Sequence, residues 1–136
     1  MTAPELAFHH IGVVSTNLDR DMVAFAGQGY TRAGEDFEDP VQGIQGRFLE
    51  GPGPRLELVR QTSEEGVLAN WSKQGTKFYH LAYETPNIDA TLEAVKAQGG
   101  KIVVAPVPAV AFDNLPIAFV MMRNMALVEY IQAKTA

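Results

Sequence analysis

The chain carries the same pattern twice. Phe8-His9-His10-Ile11-Gly12-Val13 is matched by Phe78-Tyr79-His80-Leu81-Ala82-Tyr83, with His10 and His80 standing 70 residues apart. The same offset, without a gap, lays Asn17-Leu18-Asp19 on Asn87-Ile88-Asp89 and Gly29 on Gly99. His, Asn, Asp and Gly recurring in one register mark an internal duplication, which constrains the architecture before any single motif is weighed. Whatever supersecondary unit one half adopts, the other must adopt as well.

Each copy opens with a short run rich in β-branched and aromatic residues. An Asn cap signal follows, then an apolar pattern at helical spacing closed by glycine. Leu18, Met22, Phe25 and Ala26 form that pattern in the first copy, and Ile88, Leu92, Val95 and Ala97 in the second. Each helix is expected to cover one face of a sheet. Tyr30 to Ala33 reads as a short strand, and Arg47 to Glu50 and Arg55 to Val59 flank the turn signal Gly51-Pro52-Gly53-Pro54. The second copy repeats the plan with Lys101 to Val104, Ile117 to Met122, a turn at Arg123-Asn124, and Met125 to Ile131. The expected fold is α+β: two tandem βαβββ modules forming a curved mixed sheet around a cleft. A single domain over residues 1–136 would hold module 6–60, linker 61–75 and module 76–134. Val67 to Trp71 suits a short helix within the linker, and Gly34 to Gly46 and Ala105 to Leu115 read as loops.

Composition narrows the chemistry. There is no cysteine, so thiolate metal sites, disulfides and thiol nucleophiles are excluded, and His, Asp and Glu remain as strong ligands for a borderline or hard cation. Eleven basic against sixteen acidic side chains give a net charge of −5, with no dense Lys/Arg cluster, so nucleic acid is not an expected partner. No run approaches the roughly 20 apolar residues that span a bilayer, and the N-terminus lacks the basic-then-apolar order of a secretion signal. A cytoplasmic protein without a membrane partner is expected.

Side chains alternate faces along a strand, so if Leu56, Leu58, Val128 and Tyr130 face the helices, Glu57 and Glu129 point the other way. By the same alternation His10 parts from Ile11 and Val13, whereas His9 joins them. Glu57 follows His10 by 47 residues and Glu129 follows His80 by 49, so the His and Glu pair is itself duplicated. Singly, each is most simply a core histidine or a solvated strand carboxylate. Repeated in both halves, His10, Glu57, His80 and Glu129 form a candidate ligand set for one divalent cation (nickel, cobalt, manganese or zinc), with positions left open for water or substrate. Phe48, Ala118 and Val120 are expected as the apolar substrate-binding wall, and Tyr130 as core.

At these residues the chain resembles the vicinal oxygen chelate superfamily, through His10-Ile11-Gly12-Val13, Leu56-Glu57-Leu58, Tyr79-His80-Leu81-Ala82 and Val128-Glu129-Tyr130-Ile131. Within it, Asp39-Pro40-Val41-Gln42-Gly43 with Arg55 to Leu58 and Phe78-Tyr79-His80 is most like the methylmalonyl-CoA epimerase group. The resemblance implies a metal-dependent isomerase or lyase. Its substrate would be a small molecule such as an acyl-CoA thioester that chelates the cation through two oxygens, its α-proton lost to give an enolate-like intermediate. It also implies a homodimer. Epimerases of this group use two carboxylates on opposite faces of the substrate. One corresponds to Glu129, but the position of the other is Gly46, which cannot accept a proton. The resemblance to glyoxalase I offers another route, in which the ligand carboxylates Glu57 and Glu129 are also the catalytic bases. The competing expectation is a non-catalytic small-molecule binding protein of the resistance type with the same fold.

Overall fold

Asn17 and Asn87 begin the two helices in the same way. Each sits in extended backbone, and its side-chain oxygen accepts a hydrogen bond from the amide three residues on, Arg20 and Ala90, at 3.0 Å. Helices α1 (Leu18–Ala26) and α2 (Ile88–Ala97) follow, with Asp19, Asp21 and Asp89 in the first turns, where the helix dipole favours negative charge. Both copies then turn out of the helix through a glycine with positive φ, +99° at Gly29 and +95° at Gly99, a conformation costly for any residue bearing a Cβ.

The computed structural model describes residues 3–66 and 77–135, and the Val67 to Trp71 helix expectation lies outside the described residues. The strands are β1 (Ala7–Val14), β2 (Thr31–Arg32), β3 (Phe37–Asp39), β4 (Ile44–Glu50), β5 (Leu56–Gln61), β6 (Lys77–Thr85), β7 (Lys101–Pro108), β8 (Pro116–Met121) and β9 (Leu127–Gln132). They fall into two units, residues 10–79 and residues 1–9 with 80–136.

In the unit of residues 10–79 the strands are ordered β2-β4-β5-β1, with β3 also paired to β4. β1 and β5 run parallel, with Ile11 opposite Leu56 and Gly12 opposite Glu57, while β4 and β5 are antiparallel. Val13, Leu18, Leu49, Leu56 and Leu58 are buried together, and Met22, Phe25 and Tyr30 pack on them from α1 and the turn after it. Each such side chain contributes about 1.5–3 kcal/mol of burial.

The other unit repeats this plan as β6-β9-β8-β7, with β6 parallel to β9 and β8 antiparallel to both neighbours. Its core is Ile88, Leu92 and Val95 of α2 against Ala118, Val120, Val128 and Tyr130. Tyr130 is core, as expected, and burial raises its hydroxyl pKa. Each unit thus carries the strand-helix-strands plan that the duplication dictates, and the fold is α+β.

The departures have local causes. Phe37–Asp39 lies inside the expected loop 34–46 and forms β3, because its partner β4 begins at Ile44, earlier than the turn signals suggest. β7 runs on through Pro106 to Pro108 although proline cannot donate a ladder hydrogen bond. It is the last strand in the order and its register against β8 shifts twice, the setting in which a sheet tolerates proline. Among the described residues no helix is long and apolar enough to cross a membrane.

Candidate functional site

Strand alternation delivers one His–Glu pair in each unit. With Leu56 and Leu58 in the α1 core, Glu57 faces away from the helix, and it is 5% exposed. Val13 packs on that core and Ile11 against it, so His10 also faces away and is fully buried. The parallel pairing of β1 and β5 brings His10 Nε2 to 3.5 Å from Glu57 Oε1. In the other unit Val128 and Tyr130 take the core side, Glu129 the opposite one, and His80 Nε2 lies 3.1 Å from Glu129 Oε1. All four side chains are buried.

Buried carboxylates are costly unless a cation or donors compensate them. Two ligand atoms in adjacent positions on a cation with bonds of 2.0–2.1 Å lie about 3 Å apart. The separations of 3.1 and 3.5 Å are close to that spacing. Imidazole nitrogen with carboxylate oxygen is also the donor set that borderline divalent ions accept. The donor types and the spacing within each pair therefore suit a divalent cation.

An aromatic ring flanks each pair. Phe48 lies opposite Glu57 in the β4/β5 ladder, and its ring centre is 5.5 Å from that of His10 at a steep angle. Phe119 lies opposite Glu129 in the β8/β9 ladder, 5.0 Å from His80 in the same edge-on manner. Phe48 was expected in this place. Ala118 and Val120 are not: both are fully buried beneath α2, so the wall expected of them faces the other side of the sheet. Opposed residues in an antiparallel ladder share a face, and the partner of Glu129 is Phe119, which was missed. The signal lay in the sequence, since Phe48 precedes Glu57 by 9 residues and Phe119 precedes Glu129 by 10.

Gly46 shares the face of Phe48, two residues back along β4. Its ladder partner across β3 is Phe37, whose ring lies over it: a Cβ added at Gly46 would stand 2.1 Å from the ring's Cζ. Phe37 in turn is tilted against Phe48, with ring centres 5.7 Å apart. Neighbouring polar residues of β4 are committed elsewhere. Gln45 accepts a 2.8 Å hydrogen bond from Arg60, and Glu50 is paired with Arg55 at 3.2 Å. Buried Arg47 donates to Asp36 at 2.8 Å and to Asp19 at 2.9 Å, tying α1 to the segment before β3. The charge-assisted bonds from Arg47 hold the Asp36 carboxyl below the usual carboxylate range and raise the pKa of Arg47 itself. His9, left without a role by the sequence, lies edge-on to Phe112 with ring centres 5.2 Å apart.

Residues 9–119 match the model of the Glyoxalase/Bleomycin resistance protein/Dioxygenase superfamily. The ethylmalonyl-CoA/methylmalonyl-CoA epimerase of Cereibacter sphaeroides is 20% identical over 128 residues, covering 91% of this chain and 96% of the relative. Among solved structures, a hypothetical protein from Bacillus halodurans C-125 is 25% identical with a TM-score of 0.81 over 97% of both chains. The methylmalonyl-CoA epimerase of Mycobacterium tuberculosis is 21% identical with a TM-score of 0.80 over 99% of this chain and 93% of its own. That of Streptomyces coelicolor, a variant in complex with 2-nitronate-propionyl-CoA, is 20% identical with a TM-score of 0.79 over 96% of this chain and 100% of its own. These structural likenesses establish the fold.

Proposed function

The chain belongs to the Glyoxalase/Bleomycin resistance protein/Dioxygenase superfamily, and on that premise we propose that it is a metal-dependent isomerase or lyase moving a proton α to a carbonyl, on an acyl-CoA thioester or a related small molecule. His10, Glu57, His80 and Glu129 would hold one divalent cation. The observation that carries this reading is the duplicated, buried His–Glu pair, with each nitrogen-to-oxygen separation close to the spacing of adjacent metal ligands. The epimerase names of the relatives support the substrate class.

When bound, the cation would polarise the substrate carbonyl and acidify the neighbouring C–H. The chain's own part is proton transfer and positioning. Glu129 and Glu57 are the bases, each oriented by its strand and by the imidazole at 3.1 or 3.5 Å. Glycine at position 46, with Phe37 lying over it, supports a mechanism in which the ligand carboxylates serve as the bases. Apolar rings around the pairs limit water and strengthen the charge interactions there.

The test is exchange of the α-proton of methylmalonyl-CoA in deuterated water, followed by NMR with nickel- or cobalt-loaded protein. Exchange is expected from the wild type, with Glu129→Gln slower by roughly 10²-fold or more, the usual share of a general base. Undiminished exchange in Glu129→Gln would overturn the role given to that residue.

A further inference from the structure

The side of β4 that continues from the His10–Glu57 pair presents Phe48, then Gly46, then Ile44. Gly46 is covered by the Phe37 ring, and the two rings lie 5.7 Å apart at 31° to one another. Both are half-buried, so part of each ring faces solvent or a ligand. Between Ile44 and Phe48 this side of β4 itself carries no charged or hydrogen-bonding side chain, and the ladder partners of Gly46 are Phe37 and Val59, with Asp39 and Gln61 lying further along, opposite Ile44. It is a continuous aromatic surface leading from His10 through Phe48 to Phe37. Packing an added Cβ at Gly46 would require the Phe37 ring to move, so the glycine makes room for the ring.

From this we infer a specificity subsite: Phe37 and Phe48 receive a flat, apolar substituent of the substrate, an aryl group, while its chelating end lies at the His10–Glu57 pair. The inference rests on the preceding reading of the His–Glu pairs as metal ligands. Two tilted rings offer both a face and an edge to a third ring, the arrangement aromatic groups prefer. A hydroxyl or carboxylate in the same place would lose hydration without gaining a partner from β4. Phe37 is then a specificity-determining residue, separate from the groups that move the proton.

The test uses two bidentate oxygen chelators that differ only in their substituent, acetohydroxamate and 2-phenylacetohydroxamate. Each is titrated calorimetrically into nickel-loaded wild type, Phe37→Ala and Phe37→Leu. The wild type should bind the phenyl probe roughly tenfold or more tighter than the methyl probe, the size of one good aromatic contact with its burial. Phe37→Ala should reduce that preference to about threefold or less while its nickel content stays at the wild-type value. Phe37→Leu, which keeps apolar bulk without the flat ring, should fall between and guards against a folding defect in the alanine variant. Equal affinities in the wild type, or a preference that survives in both variants, would overturn the subsite while leaving the metal reading intact. A wild type that takes up no nickel would overturn both.

Discussion

Replacing Gly46 with alanine sets two effects of opposite sign against each other. The new Cβ would stand 2.1 Å from Cζ of Phe37 and 2.6 and 2.7 Å from the adjacent ring carbons. Ordinary carbon contacts begin near 3.5 Å, so the ring must move by about an ångström or more, against Phe48 on which it leans. Overpacking of this kind costs about 1–3 kcal/mol. Removing a glycine from a strand returns about 0.5–1 kcal/mol of backbone entropy. The net expectation for Gly46→Ala is destabilisation by about 0–2.5 kcal/mol. In a Phe37→Ala background the clash is gone and the same substitution should stabilise by about 0.5–1 kcal/mol, so the glycine term cancels in a double-mutant cycle. The coupling that remains is the overpacking itself, about 1–3 kcal/mol. Urea denaturation of the four proteins measures it. Additivity within about 0.5 kcal/mol would refute the placement of the Phe37 ring over Gly46.

The two helix caps should behave as equivalents: Asn17→Ala and Asn87→Ala are each expected to cost about 1 kcal/mol in denaturant unfolding, and no loss in either would contradict the capping bonds. Gly99→Ala, at a φ of +95° and facing the Arg123 side chain, should cost about 1–2 kcal/mol by thermal unfolding, and a neutral result would contradict that turn geometry. Asp36 is held below its ordinary pKa of 3.8 by Arg47. Its contribution is therefore complete above that value and is lost as pH falls through the lower, folded-state pKa. Wild type should accordingly lose stability more steeply than Asp36→Asn as pH is taken from about 5 down to 3, and parallel curves would refute the pairing.

The duplication made most of the fold legible, because the Asn caps, the closing glycines and the His–Glu pairs all recur at matching places in the two halves. Faces followed wherever a strand had clear alternation, as with Leu56-Glu57-Leu58 and Val128-Glu129-Tyr130. Pro116 to Met121 had no such guide, since Ile117, Ala118, Phe119 and Val120 are all apolar and period-two reading cannot assign them to a side. There the register decided, setting Phe119 against Glu129 and turning Ala118 and Val120 to α2. The covering of Gly46 was hidden for a related reason. It depends on β3, three residues with weak strand signal that pair only because β4 extends back to Ile44. Glycine in the sequence announced a missing side chain, whereas the ring lying over that place is a tertiary fact.

One divalent cation shared by both His–Glu pairs is the centre of the proposed function. The most direct measurement is elemental analysis of protein dialysed against nickel, comparing the wild type with His10→Ala, from one unit, and Glu129→Ala, from the other. One equivalent in the wild type, falling well below half in both variants, is predicted. Two equivalents, with each variant losing only one, would contradict a shared ion. No bound metal in the wild type would contradict the metal centre altogether.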